Sequence, residues 1–321
     1  MKQLAIIGAG QLGSRHLQGL AKLSQECEIT VIDPMPASLE VARQRFDEMP
    51  KNESICSVRY ETEIDALPTS LDYVIIATTA DVRLGVLKAL LARTTVKFML
   101  LEKVLFQNID EYAEADALLN AAGVRAWVNC PRRAFPLYAQ VQEFFGTDPV
   151  HSLSAVGGNW GLGCNSIHFL DLFAMLTNEL PSALSHADLD EKLIQSKRKN
   201  FMEFTGSLRG RFGNATFEVT SIADSASKLL VTIRSETRSC VIDESGGIAF
   251  FFDGKAWEQK SVTLPFLSEL ATTLATAILT DGDCALATFE QSQAYHLPLL
   301  RALGAHAHQW NGTPIDFCPV T

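Results

Sequence analysis

The sequence predicts an α/β N-terminal Rossmann domain, a doubly wound parallel sheet, followed by an α+β C-terminal domain with an open, mainly antiparallel sheet. Three observations carry this reading. Short apolar or β-branched runs alternate with helical patterns over the first 130 residues, and Gly8-Ala9-Gly10-Gln11-Leu12-Gly13 follows the first run. Beyond Cys130, strand-like segments follow one another without intervening helices. A chain of 321 residues exceeds what one hydrophobic core usually serves. The expected domains are therefore 1–130 and 131–321, with the final helix packing back on the first domain.

Residues 4–7 read as a buried strand, and residues 14–23 carry apolar side chains at helical spacing. A second strand at 28–32 leads into a helix at 36–46. Further strands at 71–77 and 97–101 flank a helix at 82–92, and a helix at 109–122 precedes a strand at 125–129. Alternation of this kind builds a parallel sheet with right-handed crossovers. In the second half, a helix at 138–145, a strand at 151–159 and a helix at 168–176 come first. Residues 201–212 then alternate: Met202, Phe204, Leu208 and Phe212 fall on one face, and Glu203, Thr205, Ser207, Arg209 and Arg211 on the other. Gly213-Asn214 turns into a strand at 215–220, and Asp253-Gly254 reads as a tight type I′ turn joining 250–252 to 255–259. Helices at 265–279 and 288–303 close the domain, whose second sheet face is partly polar and reads as an oligomer surface or as a solvated face.

Composition narrows the function classes. With 27 basic and 37 acidic side chains the formal charge is −10, which repels nucleic acid and anionic membrane surfaces. The longest apolar runs, such as 73–77, fall far short of the roughly 20 residues that span a bilayer. The opening apolar run, 4–7, is too short for a signal-peptide core and there is no twin arginine, so the expected location is cytoplasmic. Seven cysteines are scattered without ligand spacing, which fits reduced thiols, and no metal site is expected. The expected partner is a small molecule.

The glycine motif carries the most specific chemistry. Gly8 permits a tight turn, Gly10 lets a pyrophosphate approach the backbone, and Gly13 lets helix pack on strand, with Gln11 and Leu12 between them. The helix N-terminus beyond adds free amides and a favourable dipole. Asp33 ends the second strand, 20 residues after Gly13, where an acid accepts hydrogen bonds from ribose hydroxyls and repels a 2′-phosphate. NAD is thus expected over NADP. Capping of the next helix is the plainer role for Asp33. Thr78 and Thr79 follow the strand at 71–77 at the edge where ligands bind, or serve as a helix N-cap. Glu102 and Lys103 follow the strand at 97–101 at the same edge. A lysine there can donate to a substrate oxygen during hydride transfer, and a surface ion pair is its plainer role. In the second domain His168 and Asp171 share a helix face, with His168 on a loop entering that helix among glycines and Asn165. A histidine suits transfer of a hydroxyl proton, and a structural place on an amphipathic helix is its plainer role.

On these residues the sequence resembles the Gfo/Idh/MocA dehydrogenases, through the glycine fingerprint, Glu102-Lys103, Arg132/Arg133 with Pro136, and the His168-x-x-Asp171 helix. The resemblance covers nearly the whole chain. It implies oxidation or reduction of a sugar or cyclitol in a homodimer or homotetramer formed through the open sheet, with Lys103 and His168 catalytic. Four positions depart from the family pattern: Val104 replaces a proline, Arg83 a histidine, Cys164 an aspartate and Ser166 a glycine. Asn165 or Asp171 is left to orient His168. Arg132 and Arg133, with Asn159 and Trp160, suit an anionic or hydroxylated ligand such as a surface-polysaccharide sugar, or else Arg132 and Arg133 pair with acidic side chains. Two other functions fit the same residues: an enzyme that retains NAD through glycoside cleavage or sugar modification, and a non-catalytic dinucleotide-binding regulator.

Overall fold

The computed structural model describes residues 1–321, which divide into two units. The first comprises Met1–Phe106, Glu111–Asn129 and Pro265–Glu290, and the second Gln107–Asp110, Cys130–Leu264 and Gln291–Thr321. A single boundary after residue 130 is therefore not what the chain adopts.

The first unit runs β1 (Lys2–Ile7), α1 (Gln11–Leu20), β2 (Cys27–Ile32), α2 (Pro36–Asp47), β3 (Ile55–Glu61), β4 (Ser70–Ile76), α3 (Ala80–Leu91), β5 (Thr95–Glu102), α4 (Asp110–Ala121) and β6 (Arg125–Asn129). The six strands are parallel in the order β3-β2-β1-β4-β5-β6. Strand order reverses between β1 and β4, and ligands of open α/β sheets bind beyond the carboxyl ends at such a switch point. Ile6 pairs with Val31 on one side and Ile75 on the other, and all three are buried. Near-continuous apolar runs suit strands covered on both faces. Strand β3 escapes that pattern because it lies at the sheet edge and its residues alternate only weakly in burial.

The second unit continues with α5 (Pro136–Phe145), β7 (Ser152–Gly158), α6 (Leu162–Thr177), β8 (Ser185–Leu189), β9 (Ile194–Gln195), β10 (Met202–Glu203), β11 (Gly206–Phe212), β12 (Ala215–Ile222), β13 (Leu230–Arg234), β14 (Ser239–Asp243), β15 (Ile248–Phe252) and β16 (Trp257–Ser261). Eight strands form one sheet in the order β16-β15-β14-β13-β7-β12-β11-β8. It is mainly antiparallel, with β7 and β12 parallel. Phe173 of α6 packs its ring on Phe212 and Phe217, so α6 covers one face.

The chain closes with α7 (Leu267–Asp281) and α8 (Phe289–Asn311). Helix α7 belongs to the first unit, as do the first two residues of α8, Phe289 and Glu290. Gly19 of α1 makes this possible, since a Cβ there would lie 2.5 Å from the Ser268 carbonyl oxygen. Thr272 Oγ1 then donates to the Gly19 carbonyl at 2.8 Å.

Three local expectations change. The alternating stretch 201–212 is not one strand: Phe204 and Thr205 separate β10 from β11, which opens on Gly206 at φ +88°, and Glu203 and Thr205 are buried instead of facing out. The loop at Asp253-Gly254 is longer than two residues, because Phe252 pairs with Trp257. Asp253 Oδ1 accepts from the amides of Lys255 and Ala256 and closes that four-residue loop from within. Helix α6 begins at Leu162, so His168 sits inside it, not on an entering loop.

Candidate functional site

In the first unit the glycine turn is built by contact. A Cβ at Gly13 would lie 1.8 Å from the Gly8 carbonyl oxygen, a backbone atom that has no room to yield. Gly8 adopts φ +96°, and a Cβ on it would come within 2.9 Å of Ala77 and Thr78 backbone atoms. Around Gly10 the position is open, with nothing within 4 Å of a Cβ. The turn is thus closed against the sheet and open to a ligand. Asp33 follows β2, and its Oδ2 accepts the Ala9 amide at 2.7 Å while Oδ1 accepts that of Met35 at 2.9 Å. The first bond ties the carboxylate to the glycine turn.

Gln11 is exposed and accepts from Arg45 Nη2 at 2.7 Å, and Leu12 is half-buried in the first turn of α1. The Thr78 hydroxyl is buried and has no hydrogen-bond partner, at the carboxyl edge of β4. Thr79 stands at the N-cap of α3, without a side-chain capping bond. An open glycine turn, a carboxylate fixed beside it and an orphaned hydroxyl at the next strand end are what a dinucleotide requires of this edge.

Glu102 behaves differently from a ligand contact. It is 3% exposed, and its Oε1 accepts from His16 Nε2 and from Asn129 Nδ2, each at 2.7 Å. Burial opposes its ionisation, yet His16 and Asn129 together hold the carboxyl below the usual carboxylate range. Lys103, next along the chain, is half-buried and joined to Val104 by a cis peptide bond. Arg83, 1% exposed on α3, donates to the carbonyls of Thr78, Val104 and Leu105, the last at 2.7 Å. His16 lay within reach of sequence reasoning, as a polar residue one helical turn beyond Gly13 on the buried side of α1.

In the second unit both expected anion-binding arginines are engaged. Arg132 grips Glu244 bidentately, Nε at 2.9 Å and Nη2 at 2.8 Å, and its guanidinium lies 4.3 Å from the centre of the Phe169 ring. Tyr138 donates to the same carboxylate at 2.6 Å. Arg133 Nε donates to Asp171 Oδ2 at 2.7 Å and Nη2 to the Asp171 carbonyl at 3.2 Å. The pairing with acidic side chains, one of the two roles open in sequence, is the one adopted. Asp171 is fully buried, and burial pushes its carboxyl up to about 6 against the pull of Arg133.

Asn159 is exposed at φ 44°, and its Nδ2 donates to the Ser225 carbonyl at 3.0 Å. Trp160 Nε1 donates to the Thr220 carbonyl, and Asn165 Nδ2 to that of Trp160, each at 2.8 Å. These side chains stitch the turn before α6. His168 is 8% exposed in the second turn of that helix. Cys164 brings no carboxylate, but Glu203 does: its Oε2 accepts the Gly163 amide at 2.7 Å and its Oε1 that of Cys164 at 3.3 Å. A carboxylate on the free amides explains why a glycine-rich segment starts a helix. Nothing in the sequence pointed to Glu203 or Glu244, since both partners lie far away along the chain.

Residues 2–130 match the GFO_IDH_MocA family model, an oxidoreductase family with an NAD-binding Rossmann fold. No curated protein matches the sequence. Among solved structures, an oxidoreductase from Agrobacterium radiobacter in complex with NAD+, L-tartaric acid and magnesium is similar at TM-score 0.75 and 14% identity, over 98% of each chain. UDP-N-acetylglucosamine 3-dehydrogenase GnnA from Acidithiobacillus ferrooxidans is similar at TM-score 0.70 and 16% identity, over 94% of this chain and 96% of that one. Biliverdin reductase from Synechocystis sp. PCC 6803, in complex with biliverdin and NADP+, is similar at TM-score 0.69 and 14% identity, over 92% and 96%. Likeness at these identities is likeness of fold.

Proposed function

We propose that this chain, whose residues 2–130 match the Gfo/Idh/MocA oxidoreductase family model, moves hydride between NAD and a carbohydrate-like alcohol or ketone. The observation that carries the reading is the glycine turn, closed against the sheet at Gly8 and Gly13, open at Gly10, and tied to Asp33. When bound, the nicotinamide supplies the hydride acceptor or donor. Every other task falls to the chain. The amides at the start of α1 hold the pyrophosphate, and Asp33 accepts from the ribose hydroxyls and disfavours a 2′-phosphate. The Thr78 hydroxyl gains the partner it lacks in the protein. Lys103, at the end of β5, donates a hydrogen bond to the substrate oxygen and stabilises charge developing there. In the second unit, His168 carries the hydroxyl proton as the alcohol becomes a carbonyl.

Asn165 Nδ2 donates to the Trp160 carbonyl and Asp171 Oδ2 accepts from Arg133, while Asp171 Oδ1 has no hydrogen-bond partner. Val156, Leu230, Phe250 and Trp257 are exposed on the eight-stranded sheet, and a second copy of the chain is the partner we assign to that face. No helix is long and apolar enough to cross a membrane.

Lys103→Met and His168→Asn test the assignment. Each should lower turnover by about 10²–10⁴-fold with NAD affinity held within about threefold. Turnover unchanged in either variant removes that residue from the mechanism.

A further inference from the structure

Arg83 is buried, carries a full charge, and has no part in the function proposed above. Its guanidinium reaches the Thr78 carbonyl beyond β4 and the Val104 and Leu105 carbonyls beyond β5. One side chain from α3 thus ties together two neighbouring strand ends on the ligand-binding edge of the sheet. On the other side of Lys103 is a second grip. Glu102 is held by His16 from α1 and by Asn129 from β6. Three elements therefore fasten the residues directly before and after Lys103, while Lys103 itself stays half-exposed.

A pure packing role would be met more simply by apolar side chains, because buried charge is costly unless fully hydrogen-bonded. What the fork of a guanidinium adds is direction. It fixes three carbonyls at set angles, which a point-charge ammonium cannot do. We infer that Arg83 and His16 are positioning residues for Lys103, holding the chain on either side of it so that its ammonium is presented at the dinucleotide edge. The inference rests on the reading that Lys103 serves the cofactor and substrate.

Trace acetylation of lysine amines, read by mass spectrometry at Lys103 against Lys88 and Lys97, tests it without requiring turnover. In the unaltered protein, saturating NAD should slow labelling of Lys103 at least about fivefold and leave the two reference lysines unchanged. In Arg83→Met, NAD should still bind with affinity within about threefold, because the glycine turn and Asp33 are untouched, but protection of Lys103 should fall below about twofold. Arg83→Lys keeps the cation without the fork and is expected to behave in the same way, so it serves where Arg83→Met does not fold. His16→Asn removes the second grip and should weaken protection independently. Full protection of Lys103 in variants that bind NAD overturns the positioning role. Absence of protection in the unaltered protein instead overturns the placement of Lys103 at the cofactor, and the inference with it.

Discussion

Replacing Glu244 with alanine isolates the role of Arg132. The pair is bidentate at 2.9 and 2.8 Å, and each side chain is only 14% exposed. Tyr138 donates to the same carboxylate, so the substitution strands a buried guanidinium and a buried hydroxyl together. Removing one partner of a buried pair costs about 3–5 kcal/mol, because the other charge is left uncompensated. For a unit of this size, each kcal/mol moves the midpoint by about 2–4 °C, so Glu244→Ala should lower the Tm of the second unit by about 10 °C. Urea denaturation with calorimetry reads both quantities. The double variant Arg132→Met/Glu244→Leu should recover most of the loss, since apolar side chains of similar volume tolerate burial. A loss in Glu244→Ala below about 1 kcal/mol, the range of an exposed pair, would refute the reasoning. So would a double variant no more stable than the single one, and Arg132 would return as a candidate for substrate binding.

Two further outcomes follow from the carboxylates. Asp33→Ser removes a fixed negative charge at the end of β2 and should shift the ratio of NAD to NADP affinity toward NADP by about tenfold or more, measured by titration calorimetry; an unchanged ratio would leave Asp33 as a tie for the Ala9 amide alone. Asp171 is raised from 3.8 to about 6 in the fold, so its burial favours the protonated form, and the stability it contributes below about pH 4 is lost as pH rises through 6. The gap is worth roughly 3 kcal/mol. Asp171→Asn should therefore flatten the decline in denaturation midpoint between about pH 4 and 6, and a decline of the same size in both proteins would contradict this.

What was legible in the sequence was local. The glycine turn declares itself because three glycines, one strand and one helix start lie within a dozen residues, and Gly13 against the Gly8 carbonyl is the contact that spacing demands. Asp33 was placed by a fixed distance along the chain. Helix α6 was mistaken at its start because its N-terminal amides are satisfied by Glu203, about 40 residues later, and no local pattern records such a cap. The same holds for Arg132, whose partner lies more than 100 residues away, and for α7, whose return to the first unit depends on a small residue at Gly19. The break before Gly206 was hidden by an apolar alternation that continues across it, and β3 by its edge position.

The account stands on hydride transfer, and transfer of isotope tests it most directly. NADH deuterated at the nicotinamide C4 position, on each face in turn, would be incubated with the protein and a panel of keto sugars, keto sugar acids and nucleotide-linked keto sugars. The expected result is deuterium on the reduced carbon of at least one member, from one face only, and suppressed by Lys103→Met. Saturated binding of NADH with no deuterium in any product would contradict it and leave a dinucleotide-binding protein without this chemistry.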